Sequence, residues 1–296
     1  MKDGVSAAVF MLDEIETTED VIEELEQVEQ VSEIILVTPC KEAASRFSKY
    51  QNLRIILEEK REGKTKAVQR AMDATDKKYL LHVTGDSKIK AADIEKMIDM
   101  ITAGHQGAVV SQVEVLNNRR TIMGKVNVLL WGMYDEVNWF LSSVSKAKTG
   151  DVFIFQKNLV PVLPKAIIND DAYIDGVIDR QNMGIIQSSA VAKISGPYSP
   201  RDYIIQRSRI AQGHFQLIFE HGIIPNSLVF SRHLPLAVRV RLLVNVLRAN
   251  KEAAIGFPVF LFLEGLSVLI GFVNMATGKQ GNVWTQVKKD TFKNPQ

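Results

Sequence analysis

Five short apolar runs, rich in β-branched residues, punctuate the N-terminal part of the chain: "VSAAVFML" (5–12), "EIILV" (33–37), "LRIIL" (53–57), "YLLHV" (79–83) and "GAVVSQV" (107–113). Each has the length of a strand and is too short for a buried helix. Little in them alternates with polar residues, so both faces of the sheet they form must be covered. That condition belongs to a mostly parallel sheet wrapped by crossover helices. The intervening stretches supply the helices. Val21, Leu25 and Val28 share one face of an acidic segment, Ala67, Val68, Ala71 and Met72 a second, and Ile94, Met97, Ile98 and Ile101 a third. The expected fold is therefore α/β and Rossmann-like, and in such sheets ligands bind beyond the carboxyl ends of the strands.

Composition narrows the function. With 296 residues, 46% of them hydrophobic, the chain can bury one large core or two modest ones. A net charge of +2 gives no general field for a polyanion, so nucleic acid is not an expected partner. Cys40 is the one cysteine, which excludes an intramolecular disulfide and a cysteine-based zinc site and fits a reducing, cytoplasmic setting. The first apolar run leads straight into "DEIE", a strand end rather than a secretory signal.

After about residue 210 the texture changes, and the expected division is an α/β domain over 1–214 followed by a helical segment over 215–296. Residues 232–251 carry Arg232, Arg239, Arg241, Arg248 and Lys251 among leucines and valines, with Leu236, Val240, Leu243 and Leu247 forming an apolar stripe. Residues 253–276 follow with Glu264 as their sole charge. About 20 helical residues cross a hydrocarbon core of roughly 30 Å, so this run can span a membrane or lie on it. A charge at its centre costs about 2.5–3.5 kcal/mol on insertion scales, which leaves a buried core helix as the alternative. The preceding arginines suit an anionic cytoplasmic membrane surface.

Several motif searches fail. "EGKT" (62–65) lacks a phosphate-binding loop's first glycine, because that position is Glu58. There is no GxGxxG, HExxH or GxSxG, and the five histidines have no ligand spacing. They read as packing or surface residues. Trp131 and Trp139, eight residues apart, read as core.

What remains is an ordered set of pieces. Glu14 follows the first strand within "DEI" (13–15), Thr38 ends the second, "EGK" with Lys64 lies between the third strand and a helix, and "TGD" (84–86) ends the fourth. "KTGDVFIF" (148–155), "INDDAYI" (168–174) and "QRSRI" (206–210) follow. This order resembles the family-two glycosyltransferases of GT-A fold, over about residues 5–215. The resemblance implies an inverting sugar transfer from a nucleotide-diphosphate sugar to a lipid-linked or saccharide acceptor, assisted by Mg²⁺ or Mn²⁺. Asp86 would then be the metal ligand, matching the last acid of the family's Asp-x-Asp. Asp171, with Asp170 beside it, would supply the base. Glu14, Thr38, Lys64, Thr84, Gly150, Gln206, Arg207 and Arg209 would bind substrates, the last three matching Gln-x-x-Arg.

The chemistry requires these residue types. A departing diphosphate is stabilised by a hard cation held by one or two carboxylates. Arginine adds a permanently charged, bidentate grip, and a positioned carboxylate takes the acceptor's proton. Taken alone, Asp86 is equally a turn or helix-cap residue, "NDD" a helix cap and "QRSRI" a solvated basic face. The sequence also departs from the family. Thr38-Pro39 replaces an Asp-Asp pair, Thr84 the first acid of Asp-x-Asp, and Ile210 the tryptophan after Gln-x-x-Arg. Phe10 and Leu12 stand where a proline and a tyrosine are common. A glycosyltransferase-like binding protein without turnover is the alternative. A sugar-phosphate nucleotidylyltransferase is disfavoured because "MLDEIETTED" has no glycine.

Overall fold

The computed structural model describes residues 2–160, 162–279 and 281, so residues 282–296 of the expected C-terminal segment lie outside the described residues. The five apolar runs become β1 (Lys2–Phe10), β2 (Val31–Thr38), β3 (Leu53–Leu57), β4 (Lys77–Thr84) and β5 (Gln106–Val115). They join β6 (Val152–Gln156) and β7 (Gly184–Ile194) in a seven-stranded sheet of order β3-β2-β1-β4-β6-β5-β7. Only β6 runs against its neighbours β4 and β5. Its first residues therefore sit at the edge where β1, β2 and β4 end.

Both faces of the sheet are covered, as the unbroken apolar runs require. On one face Val21, Ile22 and Leu25 of α1 (Ile15–Leu25) and Ile94, Met97, Ile98 and Ile101 of α4 (Ala91–Ala103) pack on Val9, Leu36 and Leu81. On the other, Ala67, Val68, Ala71 and Met72 of α3 (Lys64–Ala74) and Ile174 and Ile178 of α6 (Asp170–Arg180) pack on Ala8, Ile35 and Leu80. Each fully buried aliphatic side chain contributes about 1.5–3 kcal/mol. α2 (Ala43–Arg46) is a single turn.

A third apolar cluster holds the C-terminal helices. α5 (Ile122–Ser142), α7 (Pro200–His221), α8 (Leu236–Ala249) and α9 (Phe257–Ala276) meet through Val126, Leu129, Tyr203, Val246, Phe260 and Leu263. The α8 stripe differs from the expected one. Leu242 and Val246 are its buried residues, Leu243 and Leu247 are partly buried, and Leu236 and Val240 face solvent. The helix packs on α5 and the turn before α9 at once, which rotates its buried side. Trp139 likewise overturns the core reading: it is 67% exposed on α5, and Trp131 is half-buried.

α7 and α9 advance side by side. Tyr203 and Arg207 meet Glu264, the Arg207 guanidinium gripping both carboxylate oxygens at 2.7 and 2.9 Å while Tyr203 Oη donates to Oε1 at 2.8 Å. Two turns further along α9, a Cβ at Gly271 would lie 2.6 Å from the Ser208 carbonyl and 2.7 Å from Ala211, so glycine allows the backbones to touch. Glu264 thus anchors α9 instead of interrupting it. Glu264→Ala should destabilise the fold by about 2 kcal/mol, because a guanidinium is stranded. Arg207→Met with Glu264→Leu should cost less than the single change. A double-mutant cycle by chemical denaturation measures both, and additive losses would contradict the pairing.

Candidate active site

Local sequence brings one group of side chains to the carboxyl edge. β4 ends at Thr84, whose N–H donates to the Asp151 carbonyl at 3.1 Å, while Gly85 N donates to the Phe10 carbonyl at 2.8 Å. The ends of β1, β4 and the head of β6 are thereby stitched together. Asp86 lies in the turn that follows and is half-buried. It is not the cap of α4, whose N-cap residue is Lys90. Glu14 stands close enough to Asp86 for their charges to interact, and its carboxyl is raised by burial first and by Asp86 second. Leu12 N and Asp13 N donate to its Oε2 at 2.9 and 3.2 Å.

The acid pair enters from α6. Asn169 is the N-cap residue, and Asp170 and Asp171 form the first turn, where helix N–H groups favour negative charge. "NDD" thus opens a helix, but as a largely buried turn rather than an exposed cap. Asp170 is 2% exposed. Its Oδ2 lies 3.9 Å from Lys64 Nζ and 3.8 Å from His82 Nε2. Asp171 Oδ1 accepts from Ala172 N at 2.7 Å. Burial, and then Asp170, push the Asp171 carboxyl up to about 6, against the opposing pull of Lys64.

Lys64 arrives because Gly63, with φ of 102°, makes the left-handed step that starts α3. Arg209 arrives from α7, which starts at the Ser199 cap, where the hydroxyl accepts from Asp202 N, with Pro200 in the first turn. Arg209 Nη1 donates to the Ile168 carbonyl at 3.2 Å. Burial lowers its guanidinium to about 10, while Asp170 and Asp171 favour its charge. "QRSRI" is thus no solvated face. Arg207, two residues earlier and about 200° round the helix, points to Glu264, and Gln206 lies half-buried beside it.

Other expected residues support the edge from below. Thr38 is wholly buried and its Oγ1 accepts from Cys40 N at 3.0 Å. The Thr84 hydroxyl meets that of Ser87 at 2.5 Å. Gly150 leaves room for Tyr134, whose Oη a Cβ would meet at 2.4 Å.

Sequence reasoning missed four neighbours. Asp175, four residues after Asp171 on the same helix face, accepts from Thr149 N at 3.1 Å and Thr149 Oγ1 at 2.7 Å, and burial raises it to about 8. The i, i+4 spacing was the available signal. Lys148 stacks over Tyr134 at 4.1 Å and is lowered to about 8 by burial and then Arg207. Asp151 had its place in the glycine-led turn, and His82 was the lone imidazole in an apolar strand.

The edge therefore combines a half-buried acid pair, Glu14 and Asp86, with a second pair, buried Asp170 and half-buried Asp171, faced by Lys64 and Arg209. Among the described residues no group of three or more His, Cys, Asp or Glu could hold a metal ion by itself.

Comparisons with known proteins agree with this layout. The family model described as Glycosyl transferase family 2 matches residues 9–182. No curated protein matches the sequence. Among solved structures, a mannosyltransferase from Pyrobaculum calidifontis in complex with GDP-Man and Mn²⁺ superposes with TM-score 0.62 at 14% identity, covering 93% of this chain and 87% of its own. Mannosyl-3-phosphoglycerate synthase from Rubrobacter xylanophilus gives 0.55 at 13% identity, covering 77% and 78%. Glucosyl-3-phosphoglycerate synthase from Mycobacterium tuberculosis in complex with phosphoglyceric acid gives 0.53 at 18%, covering 74% and 80%. These likenesses establish a shared GT-A fold.

A two-carboxylate edge should hold a divalent ion only when a diphosphate supplies further oxygens. Mn²⁺ alone should leave the melting temperature unchanged, while Mn²⁺ with GDP or UDP should raise it. An equal rise with Mn²⁺ alone would contradict this.

Proposed function

We propose, for a chain that belongs to glycosyl transferase family 2, that it moves a sugar from a nucleotide-diphosphate sugar to the hydroxyl of a lipid-linked or saccharide acceptor in one inverting displacement. The observation that carries this reading is the adjacent pair of buried Asp170 and half-buried Asp171 faced by Lys64 and Arg209, on the same sheet edge as Asp86. Asp171 is the base. With its carboxyl at about 6 it is ionised at neutral pH yet basic enough to take the acceptor's proton as the oxygen attacks the anomeric carbon. The bond to the diphosphate breaks on the opposite side, and Lys64 and Arg209 offset the gathering charge.

Asp86, with Glu14 beside it, would hold Mg²⁺ or Mn²⁺. The fit rests on Glu14, whose carboxyl is raised partly by Asp86, a repulsion that a cation would relieve. The ion would neutralise the leaving diphosphate. Thr38 and Thr84, engaged in internal hydrogen bonds, brace the nucleoside end instead of charging it. Neighbours of the same fold include complexes with GDP-Man and with UDP-Glc, so either base suits the scaffold. Gly150 and Gln206 complete the acceptor side, and Arg207 holds α7 in place.

The C-terminal segment anchors this domain, facing the cytoplasm, to a membrane surface. Ala253–Ala276 is long and apolar enough to cross a bilayer, with mean hydropathy 2.1, and 28% of its most apolar window is buried. A core helix would be mostly covered. Its outward residues include Leu261, Phe262, Leu269 and Val273, while Glu264 and Gly271 hold the inward side to α7. An interfacial helix, lying on the membrane, satisfies both faces.

Asp171→Asn should lower transfer by about 10²–10⁴-fold with donor binding nearly intact. The wild-type rate should fall tenfold per pH unit below about 6, because the base must be ionised. Normal turnover in the variant would overturn the base assignment, whereas a wild type that binds the donor and shows no transfer would support a binding protein without chemistry. Phe262→Glu with Leu269→Glu should move the protein from membrane to soluble fractions without changing its melting temperature. Unchanged fractionation would refute the anchor.

A further inference from the structure

His82 occupies a position where a phenylalanine would pack equally well. Its ring is wholly buried in β4, 4.7 Å from Phe10 and stacked 4.5 Å from Phe153. Its nitrogens nevertheless have directions. Nδ1 lies 3.3 Å from the Asp151 carbonyl oxygen. A carbonyl can only accept, so the network assigns the proton to Nδ1 and leaves a lone pair on Nε2. That lone pair faces Asp170 Oδ2 at 3.8 Å, and both atoms are buried without a hydrogen-bond partner. Two acceptors cannot bond across such a gap unless a proton is supplied.

The charged groups around this pair come from every adjoining element: Lys64 from α3, Asp151 from the head of β6, Asp171 from α6 and Arg209 from α7. Burial first, and the Lys64 charge second, keep the imidazole neutral. A diphosphate beside Lys64 would cancel the second of these.

We propose that His82 is a positioning residue: when a nucleoside diphosphate binds beside Lys64, Nε2 takes one proton from solvent and donates it as a hydrogen bond to Asp170 Oδ2. One N–H bond forms, none of the protein's bonds breaks, and the proton returns to solvent on product release. The bonded Asp170 is then held as an anion turned away from Asp171, and the new cation keeps Asp171 ionised for its work. The inference rests on Asp171 being the base and adds how that base is prepared.

The test is calorimetry of GDP or UDP binding with Mn²⁺ at neutral pH, in two buffers of different ionisation enthalpy, alongside turnover. The wild type should take up close to one proton per diphosphate, so its affinity should rise as pH falls, by up to about tenfold per unit. His82→Phe keeps the aromatic stack. It should lose the uptake, weaken GDP or UDP binding by about tenfold or more at neutral pH because the linked proton no longer favours the complex, and lower kcat by about tenfold or more. His82→Gln has an amide N–H that donates without titrating, and should recover much of kcat while still lacking the uptake. Wild-type kcat or unchanged uptake in His82→Phe would overturn the inference, as would His82→Gln behaving no better than His82→Phe. A wild-type protein that binds GDP or UDP but whose turnover survives Asp171→Asn brings down the base assignment. Turnover abolished by Asp171→Asn yet indifferent to His82→Phe brings down this inference alone.

Discussion

Two adjacent carboxylates, Asp170 buried and Asp171 half-buried, stand at the first turn of α6, and the rest of the site follows from the free energy of keeping them there. Helix N–H groups offset part of that cost. Lys64 and Arg209 offset more, and they come from helices on either side, so α3, α6 and α7 must meet at one point. Asp175 adds a third acid one turn along, kept by Thr149 donating from both its backbone and its hydroxyl. Thr149 is followed by Gly150, small because Tyr134 fills the space, and then by Asp151, whose carbonyl receives Thr84 N. The antiparallel entry of β6 is thereby tied to the end of β4, which is where Asp86 leaves the sheet. A site assembled in this way is rigid, because each polar group in the chain of contacts is also a structural bond.

Such tight coupling also explains the pattern of departures from the family. Charge has been lost at Thr38 and Thr84, on the side of the pocket where the nucleoside belongs, and there the hydroxyls turn inward to Cys40 N and Ser87. Charge is retained on the side to which the proposed mechanism assigns the making and breaking of bonds. Removing Asp170 from the α6 turn would take away the carboxylate whose charge both Lys64 and Arg209 meet. Removing an acid from the ends of β2 or β4 leaves only a hydroxyl to satisfy, and a neighbour two or three residues away does so.

The sheet was legible in sequence because strands buried on both faces leave uninterrupted apolar runs, and the helices α1, α3 and α4 because their apolar residues recur on one face. Asp86 could be noticed because it follows the apolar run of β4, whereas Lys64, Asp170 and Asp171 open helices and were singled out by the family resemblance. What could not be read depends on partners far away in the chain. "QRSRI" offers two arginines, and which of them faces the acids is decided by Glu264, 57 residues from Arg207. Glu264 itself read as a cost within an apolar run, since its counter-charge is invisible in one dimension. Trp139 has the neighbours of a core residue in sequence, yet α5 turns it outward. His82 looked like packing, and its rings do pack. Only the position of Asp170 gives its free nitrogen a direction.

α7 joins these observations mechanically. Arg209 projects from one side into the acid pair, while Tyr203, Arg207 and the backbone at Ser208 and Ala211 bind α9 on the other. The contacts keep pace along both helices, from Tyr203 and Glu264 through Ala211 and Gly271 to Phe215 and Phe272, whose rings meet edge to face at 5.4 Å. A helix fastened in this way over nearly its whole length cannot cross a bilayer on its own. Crossing would separate the part-buried Arg207–Glu264 ion pair and open the close backbone approach at Gly271, or would draw α7 and Arg209 into hydrocarbon. Lying flat requires neither. On the proposed interfacial reading, the outward residues Phe262, Leu269 and Val273 would set the depth of the protein in the surface, and α7 would carry that depth to the carboxyl edge, where Asp171 is proposed to act on an acceptor presented by the membrane.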